Sequence, residues 1–103
     1  GFEWIRYDDN ENSVMSYYRK GDNEKDKLIV ICNFSTNTLR DYRIGVSQEG
    51  ILEEIFNSDA FKYGGSNVVN DVPIATENVL FHNQTFSFIT SLPPLGISVY
   101  KYQ

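Results

Sequence analysis

Apolar and polar side chains alternate with a period of two along much of this chain. Tyr42, Ile44 and Val46 interleave with Asp41, Arg43 and Gly45, which puts apolar groups on one face of an extended strand and polar groups on the other. Phe86 and Phe88 share a face in Thr85–Ile89, and Ile97 and Val99 share one in Ile97–Tyr102. Ser13–Tyr18 is rich in strand-favouring residues and stops at the turn-forming run Arg19-Lys20-Gly21-Asp22-Asn23, so it reads as a first strand.

Leu28 to Phe34 departs from alternation. It is almost continuously apolar and β-branched, the mark of a central strand covered on both faces, and it is too short for a helix. Residues 51–56, Ile-Leu-Glu-Glu-Ile-Phe, also suit a helical turn by spacing, but Gly50 before and Asn57-Ser58-Asp59 after leave too little length for a stable helix; a strand is expected. The paired glycines of residues 61–67 read as a surface loop. Asn78–Phe81, a turn at His82-Asn83-Gln84 and the return through Thr85–Ile89 read as a hairpin. Pro93-Pro94-Leu95-Gly96 punctuates the chain before the last strand. The sum is all-β, an antiparallel β-sandwich of seven to eight short strands, without internal repeats.

With 103 residues, the chain amounts to one domain able to bury roughly two-thirds of its unfolded surface. A composition 41% hydrophobic and 15% aromatic is too rich in core formers for disorder, and no apolar run approaches the roughly 20 residues that cross a bilayer. The formal charge of -5, from 14 acidic and 9 basic residues, argues against nucleic acid and anionic lipid as partners, since both are bound through clustered Lys and Arg. The single cysteine and the lack of an amino-terminal signal pattern favour a cytoplasmic origin. The opening Gly1-Phe2-Glu3-Trp4-Ile5 has no initiator methionine, and the chain reads as a piece of something larger.

Catalytic candidates are thin. Glycoside chemistry needs two carboxyl groups roughly 5 to 10 Å apart, which directs attention to Asp8-Asp9 and Glu53-Glu54; neighbours on a strand face opposite ways, and solvated surface charge is the better account. His82 has no second histidine or cysteine pair to complete a metal site and reads as a turn residue. Cys32, inside an apolar run, reads as an inert buried thiol. Gly64-Gly65-Ser66 lacks the spacing and lysine of a phosphate loop. Asn33-Phe34-Ser35 and Asn83-Gln84-Thr85 match the glycosylation triplet and carry little weight. No catalytic residue, metal or cofactor is expected. Aromatic rings remain: Trp4, Tyr7 and Tyr63 are candidates for contact with a glucan or with a neighbouring domain, because flat amphipathic rings serve both.

In order, Gly1-Phe2-Glu3-Trp4-Ile5, Asp8-Asp9, Asn12-Ser13-Val14, Asn33-Phe34, Asp41-Tyr42-Arg43-Ile44-Gly45-Val46, Asn57-Ser58-Asp59, Tyr63-Gly64-Gly65-Ser66 and Leu92-Pro93-Pro94-Leu95 resemble the carboxy-terminal region of bacterial 1,4-alpha-glucan (glycogen) branching enzymes of the alpha-amylase superfamily. The resemblance runs nearly end to end. It departs at Ile51-Leu52-Glu53, where relatives often carry Trp-Arg-Glu. It implies a β-sandwich following a catalytic (β/α)8 barrel in the same polypeptide, with the catalytic carboxylates on that barrel, outside these residues. Residues 1–10 would form the junction with the barrel, and Trp4 would pack there. Two other readings share the architecture: a free-standing carbohydrate-binding sandwich, and the matching domain of a debranching or trehalose-releasing relative.

Overall fold

A computed structural model describes residues 2–9, 14–19, 27–58, 70 and 72–103, with backbone alone for 2–9. Its strands are β1 (Phe2–Asp9), β2 (Val14–Arg19), β3 (Leu28–Asn33), β4 (Leu39–Val46), β5 (Ile51–Asn57), β6 (Ile74–Ala75), β7 (Phe86–Leu92) and β8 (Gly96–Tyr102). A six-stranded sheet runs β1-β2-β3-β8-β5-β6, and β4 pairs with β7 in a second sheet. Every pairing is antiparallel. This is the all-β sandwich expected from the alternation.

The core fills the space between the sheets. Val14 and Tyr18 of β2, Ile29 and Ile31 of β3, Leu52 of β5 and Tyr100 of β8 face Ile44 and Val46 of β4 and Phe88 and Leu92 of β7. Each strand contributes every second residue, the consequence of the pleat. Phe88 and Tyr100 meet edge to face, with centroids 5.3 Å apart at 66°. β3 is central, between β2 and β8, as its apolar run predicts. β5 is a strand, as expected, and Tyr42, Ile44 and Val46 turn inward opposite Thr90, Phe88 and Phe86. A register shift between Leu39 and Tyr42 and a φ of 53° at Asp41 mark a bulge before this alternation begins.

The expected hairpin is corrected in part. Phe81 and Gln84 do close a two-residue turn through paired backbone hydrogen bonds of 3.0 and 2.9 Å, and His82 and Asn83 both have positive φ, 52° and 59°, the hand of a hairpin turn. Asn78–Leu80, however, is not a strand: apart from that turn, the contact with the returning chain is a single bridge, Glu77 to Ser87. The long-range partner of β7 is β4, because Phe86 and Phe88 gain more by facing Val46 and Ile44 across a full ladder. The turn instead folds back over Gly45, where an added Cβ would collide with the Phe81 carbonyl oxygen. The expected first strand begins at Val14 within the described residues, and the expected loop over 61–67 lies outside them.

Among the described residues, several motifs that carry the resemblance form joints of this sandwich. Asn33 Nδ2 donates to the carbonyls of Pro93 and Asn37 at 2.9 and 3.0 Å, and Leu95 N–H donates to Ser35 O at 2.8 Å. Asn33-Phe34 and Leu92-Pro93-Pro94-Leu95 thus form one unit that carries the chain from the small sheet to the large one. Ser58 N–H donates to Ile97 O at 3.0 Å, and Ile97 N–H to Ser58 Oγ at 2.9 Å, which ties the end of β5 to β8. Within the strand Asp41–Val46, Arg43 pairs with Glu77 at 3.1 Å and donates to Ser87 Oγ at 2.7 Å.

Candidate functional site

Glu53 and Glu54 are held apart in different surroundings. Asp8 and Asp9 occupy consecutive positions of β1, opposite Met15 and Val14; their side chains lie outside the described residues. Glu53 is exposed opposite Lys101, as a surface charge should be. Glu54 differs from the surface reading. It sits opposite Tyr100 and accepts hydrogen bonds from Asn57 Nδ2 at 3.2 Å and from Asn70 N–H and Nδ2 at 3.0 and 2.7 Å. Its carboxylate anchors Asn70 to β5, and a group so engaged is a joint, not a free base.

Asn70 extends this network to the other sheet. Its Nδ2 donates to Ser91 O at 2.9 Å and to the Tyr100 hydroxyl at 3.2 Å, and its Oδ1 accepts from Ser91 N–H at 3.1 Å. The Tyr100 hydroxyl also meets Thr90 Oγ1 at 2.6 Å. Burial pushes the Tyr100 hydroxyl well above the ordinary tyrosine range; the Thr90 hydrogen bond opposes this and the Glu54 charge adds to it. Beside the network lies an open cleft of about 300 Å³ bordered by Asp41, Asn70, Pro73, Ile74 and Thr90. It offers hydroxyl and amide groups, and among the described residues that line it there is no aromatic ring.

His82 is a turn residue, its Nδ1 accepting a hydrogen bond from Gly45 N–H at 3.3 Å. Cys32 is buried, and burial raises its thiol pKa, the opposite of an activated nucleophile. Among the described residues no group of three or more His, Cys, Asp and Glu side chains could hold a metal ion, and no helix is long and apolar enough to cross a membrane. Asn33 is committed on both sides of its amide, since Oδ1 also accepts from Ser35 N–H at 2.9 Å, so the triplet it begins is structural.

Of the aromatic candidates, Trp4 and Tyr7 lie on β1, the edge strand of the large sheet, with a register break between Glu3 and Tyr7. Their side chains, and all of Tyr63, lie outside the described residues.

A feature that candidate-by-candidate reading missed is the outer face of the large sheet. Val14, Ser16, Ile29, Ile31, Ser98 and Tyr100 point to the core, so the alternate positions point away from it. These form cross-strand rows. One runs Tyr17, Val30, Val99 and Phe56 across β2, β3, β8 and β5; the next runs Met15, Cys32 and Ile97. Ile97 and Val99 share a face, as expected, and it is this outward one. A solvated outer face of a sandwich ordinarily alternates to polar residues. The signal in the sequence was the unbroken apolar run of β3.

The comparisons with known proteins agree with this architecture. Residues 4–103 match the model of the "Alpha amylase, C-terminal all-beta domain". The chain is 42% identical over 101 residues to a 1,4-alpha-glucan branching enzyme GlgB of Bacillus cereus (strain AH820), 41% to one of Bacillus anthracis (strain CDC 684 / NRRL 3495) and 43% to one of Bacillus cytotoxicus. Each alignment takes in 98% of this chain and 16% of the relative, so the chain spans about one-sixth of the length of these curated relatives. A sandwich with its motifs at its joints and a family model matched from residue 4 to the last residue place this chain in the alpha-amylase C-terminal all-beta domain family.

Proposed function

We propose that this chain serves as the non-catalytic carboxy-terminal domain of a 1,4-alpha-glucan branching enzyme. Such an enzyme cuts an alpha-1,4 linkage and rejoins the freed glucan through an alpha-1,6 branch, in the cytoplasm, during glycogen synthesis. The observation that carries the reading is identity of 42% across 98% of the chain to a branching enzyme. Glu54 is held in a structural network and Cys32 is an unactivated thiol. In this reading the catalytic carboxylates lie on a (β/α)8 barrel of the same polypeptide, residues 1–10 join the two, and this domain braces the barrel. Contact with long glucan chains through Trp4, Tyr7 or Tyr63 is a secondary part of the proposal.

The test is linkage analysis of amylose incubated with the full-length polypeptide and with these 103 residues alone. The full-length protein is expected to generate alpha-1,6 linkages and the domain none. Linkages formed by the domain, or none formed by the full-length protein, refute the proposal. Titration of the domain with maltoheptaose separates the free-standing binding module: binding abolished by Trp4→Ala or Tyr63→Ala supports that alternative, and no binding counts against it.

A further inference from the structure

We infer that the His82 turn is a plug that closes the free edge of β4, and that what it excludes is the same edge on a second copy of this chain. The device is independent of whatever reaction the whole polypeptide performs.

The direction of the backbone groups follows from their hydrogen bonds. Gly45 stands opposite Ser87, yet the N–H and C=O of Ser87 are both engaged with Glu77, and Gly45 N–H donates to His82 Nδ1 at 3.3 Å. Gly45 and Ser87 are therefore a non-hydrogen-bonded pair of the ladder, and their polar groups point away from each other. Alternate residues of a strand face the same edge, so Arg43 presents its N–H and C=O there beside Gly45. Among the described residues β4 pairs with β7 alone, and that register is unbroken from Tyr42 to Val46. A regular edge of this kind is a template on which a further strand adds.

The other sheet edges are blunted in other ways. β6 is two residues long, β1 has a register break between Glu3 and Tyr7, and the far side of β7 is bridged by Glu77. Short strands and irregularities deny a newcomer its ladder. β4 has its own bulge at Asp41, with φ of 53°, but that protects only the stretch before Tyr42. Past it the turn takes over. The Phe81 carbonyl lies over Gly45, where no Cβ fits, and the His82 imidazole reaches the outward Gly45 N–H. His82 and Asn83 hold φ of 52° and 59°, a conformation that glycine adopts without strain. Histidine at the first of these positions supplies an acceptor that glycine lacks.

The excluded partner is a second copy because this edge is complementary to itself. Turned about a two-fold axis at Ile44, two copies set Arg43 of one against Gly45 of the other, so that the outward amides and carbonyls meet in register. Gly45 has no side chain to obstruct the facing Arg43. Two two-stranded sheets would become one of four strands, and a two-stranded ribbon is the sheet that gains most from neighbours.

The experiment is sedimentation velocity of the full-length polypeptide over a range of concentrations, paired with hydrogen exchange of the peptide containing Tyr42–Val46. His82→Gly accepts the φ of 52° and removes the ring. It is expected to self-associate about ten-fold more tightly than the unaltered protein, with exchange of residues 42–46 faster in dilute solution and slower as concentration rises. Asn83→Gly relaxes the same turn and keeps the ring, and is expected to associate no more than the unaltered protein. Association of His82→Gly at the unaltered level overturns the inference. So does association without slowed exchange at residues 42–46, which assigns it to another surface, or equal association by Asn83→Gly, which assigns it to a loosened turn. Exchange of residues 42–46 that His82→Gly leaves unchanged in dilute solution overturns it as well, because the edge is then closed by something other than the imidazole.

Discussion

The hydroxyls of Tyr100 and Thr90 meet at 2.6 Å, a buried polar contact that joins the large sheet to the small one. Buried hydroxyls without partners cost free energy, so each depends on the other. Thr90→Val is expected to destabilise the domain by about 1–3 kcal/mol. In a denaturant double-mutant cycle with Tyr100→Phe, a coupling of about 0.5–1.5 kcal/mol is expected; additive losses would show that the contact contributes nothing.

Phe88 is fully buried and stacks edge to face on Tyr100. Phe88→Ala is expected to cost about 3–5 kcal/mol, the transfer of the ring plus the cavity it leaves. A loss below about 0.5 kcal/mol, typical of surface sites, would show that β7 does not face the core. Val30 points to the other face of the large sheet and is also buried, so Val30→Ala is expected to cost about 2–5 kcal/mol.

Alkaline pH should unfold the domain. Burial holds the hydroxyls of Tyr100 and Tyr102 above their ordinary 10.0 and the Cys32 thiol above 9.0. The folded state therefore keeps protons that the unfolded state has released. Stability is complete below the ordinary values and is lost as pH rises past them, by about 1.4 kcal/mol per pH unit for each group still protonated in the fold. Urea midpoints should be level to about pH 8 and fall steeply above about pH 10. A Tyr100→Phe variant should show a shallower fall; an identical slope would contradict the assignment.

Gly45 lies beneath the turn formed by Phe81 and His82. Because a Cβ there meets backbone as well as the His82 Cβ, Gly45→Ala must displace the turn, at about 1–3 kcal/mol. His82→Val places a β-branched residue at positive φ and should cost about 1–2 kcal/mol, whereas Asn83→Gly should be neutral or stabilising. Equal stability of all three variants in chemical denaturation would remove the turn from its place over Gly45.

Much of the fold was legible because period-two alternation survives wherever one face of a strand is buried. Tyr42, Ile44 and Val46 face the core, and β5 is a strand despite its helical spacing. What failed was non-local. Val79, Leu80 and Phe81 are apolar, as a strand would be, but they occupy a loop whose turn is anchored over Gly45, and nothing in residues 78–89 announces that Phe86 and Phe88 pair with β4. The two-residue β6 is too short to leave a pattern. Alternation also does not say which face is inward: in β8 the core receives Ser98 and Tyr100, while Ile97 and Val99 point out. The candidate site was legible in the same partial way, since the family motifs were visible but their work as joints, with Asn33 holding Pro93 and Ser58 holding Ile97, required three dimensions. Glu54 read as surface charge because its partner Asn70 is 16 residues away.

In the proposed role this sandwich braces a catalytic unit without taking part in its chemistry. Its most direct test is thermal unfolding and branching turnover of the full-length polypeptide with and without these residues. The truncated protein is expected to lose several degrees of melting temperature or to become insoluble, with branching activity falling in step with the folded fraction. A truncated protein that melts at the same temperature and branches at the same rate would contradict it.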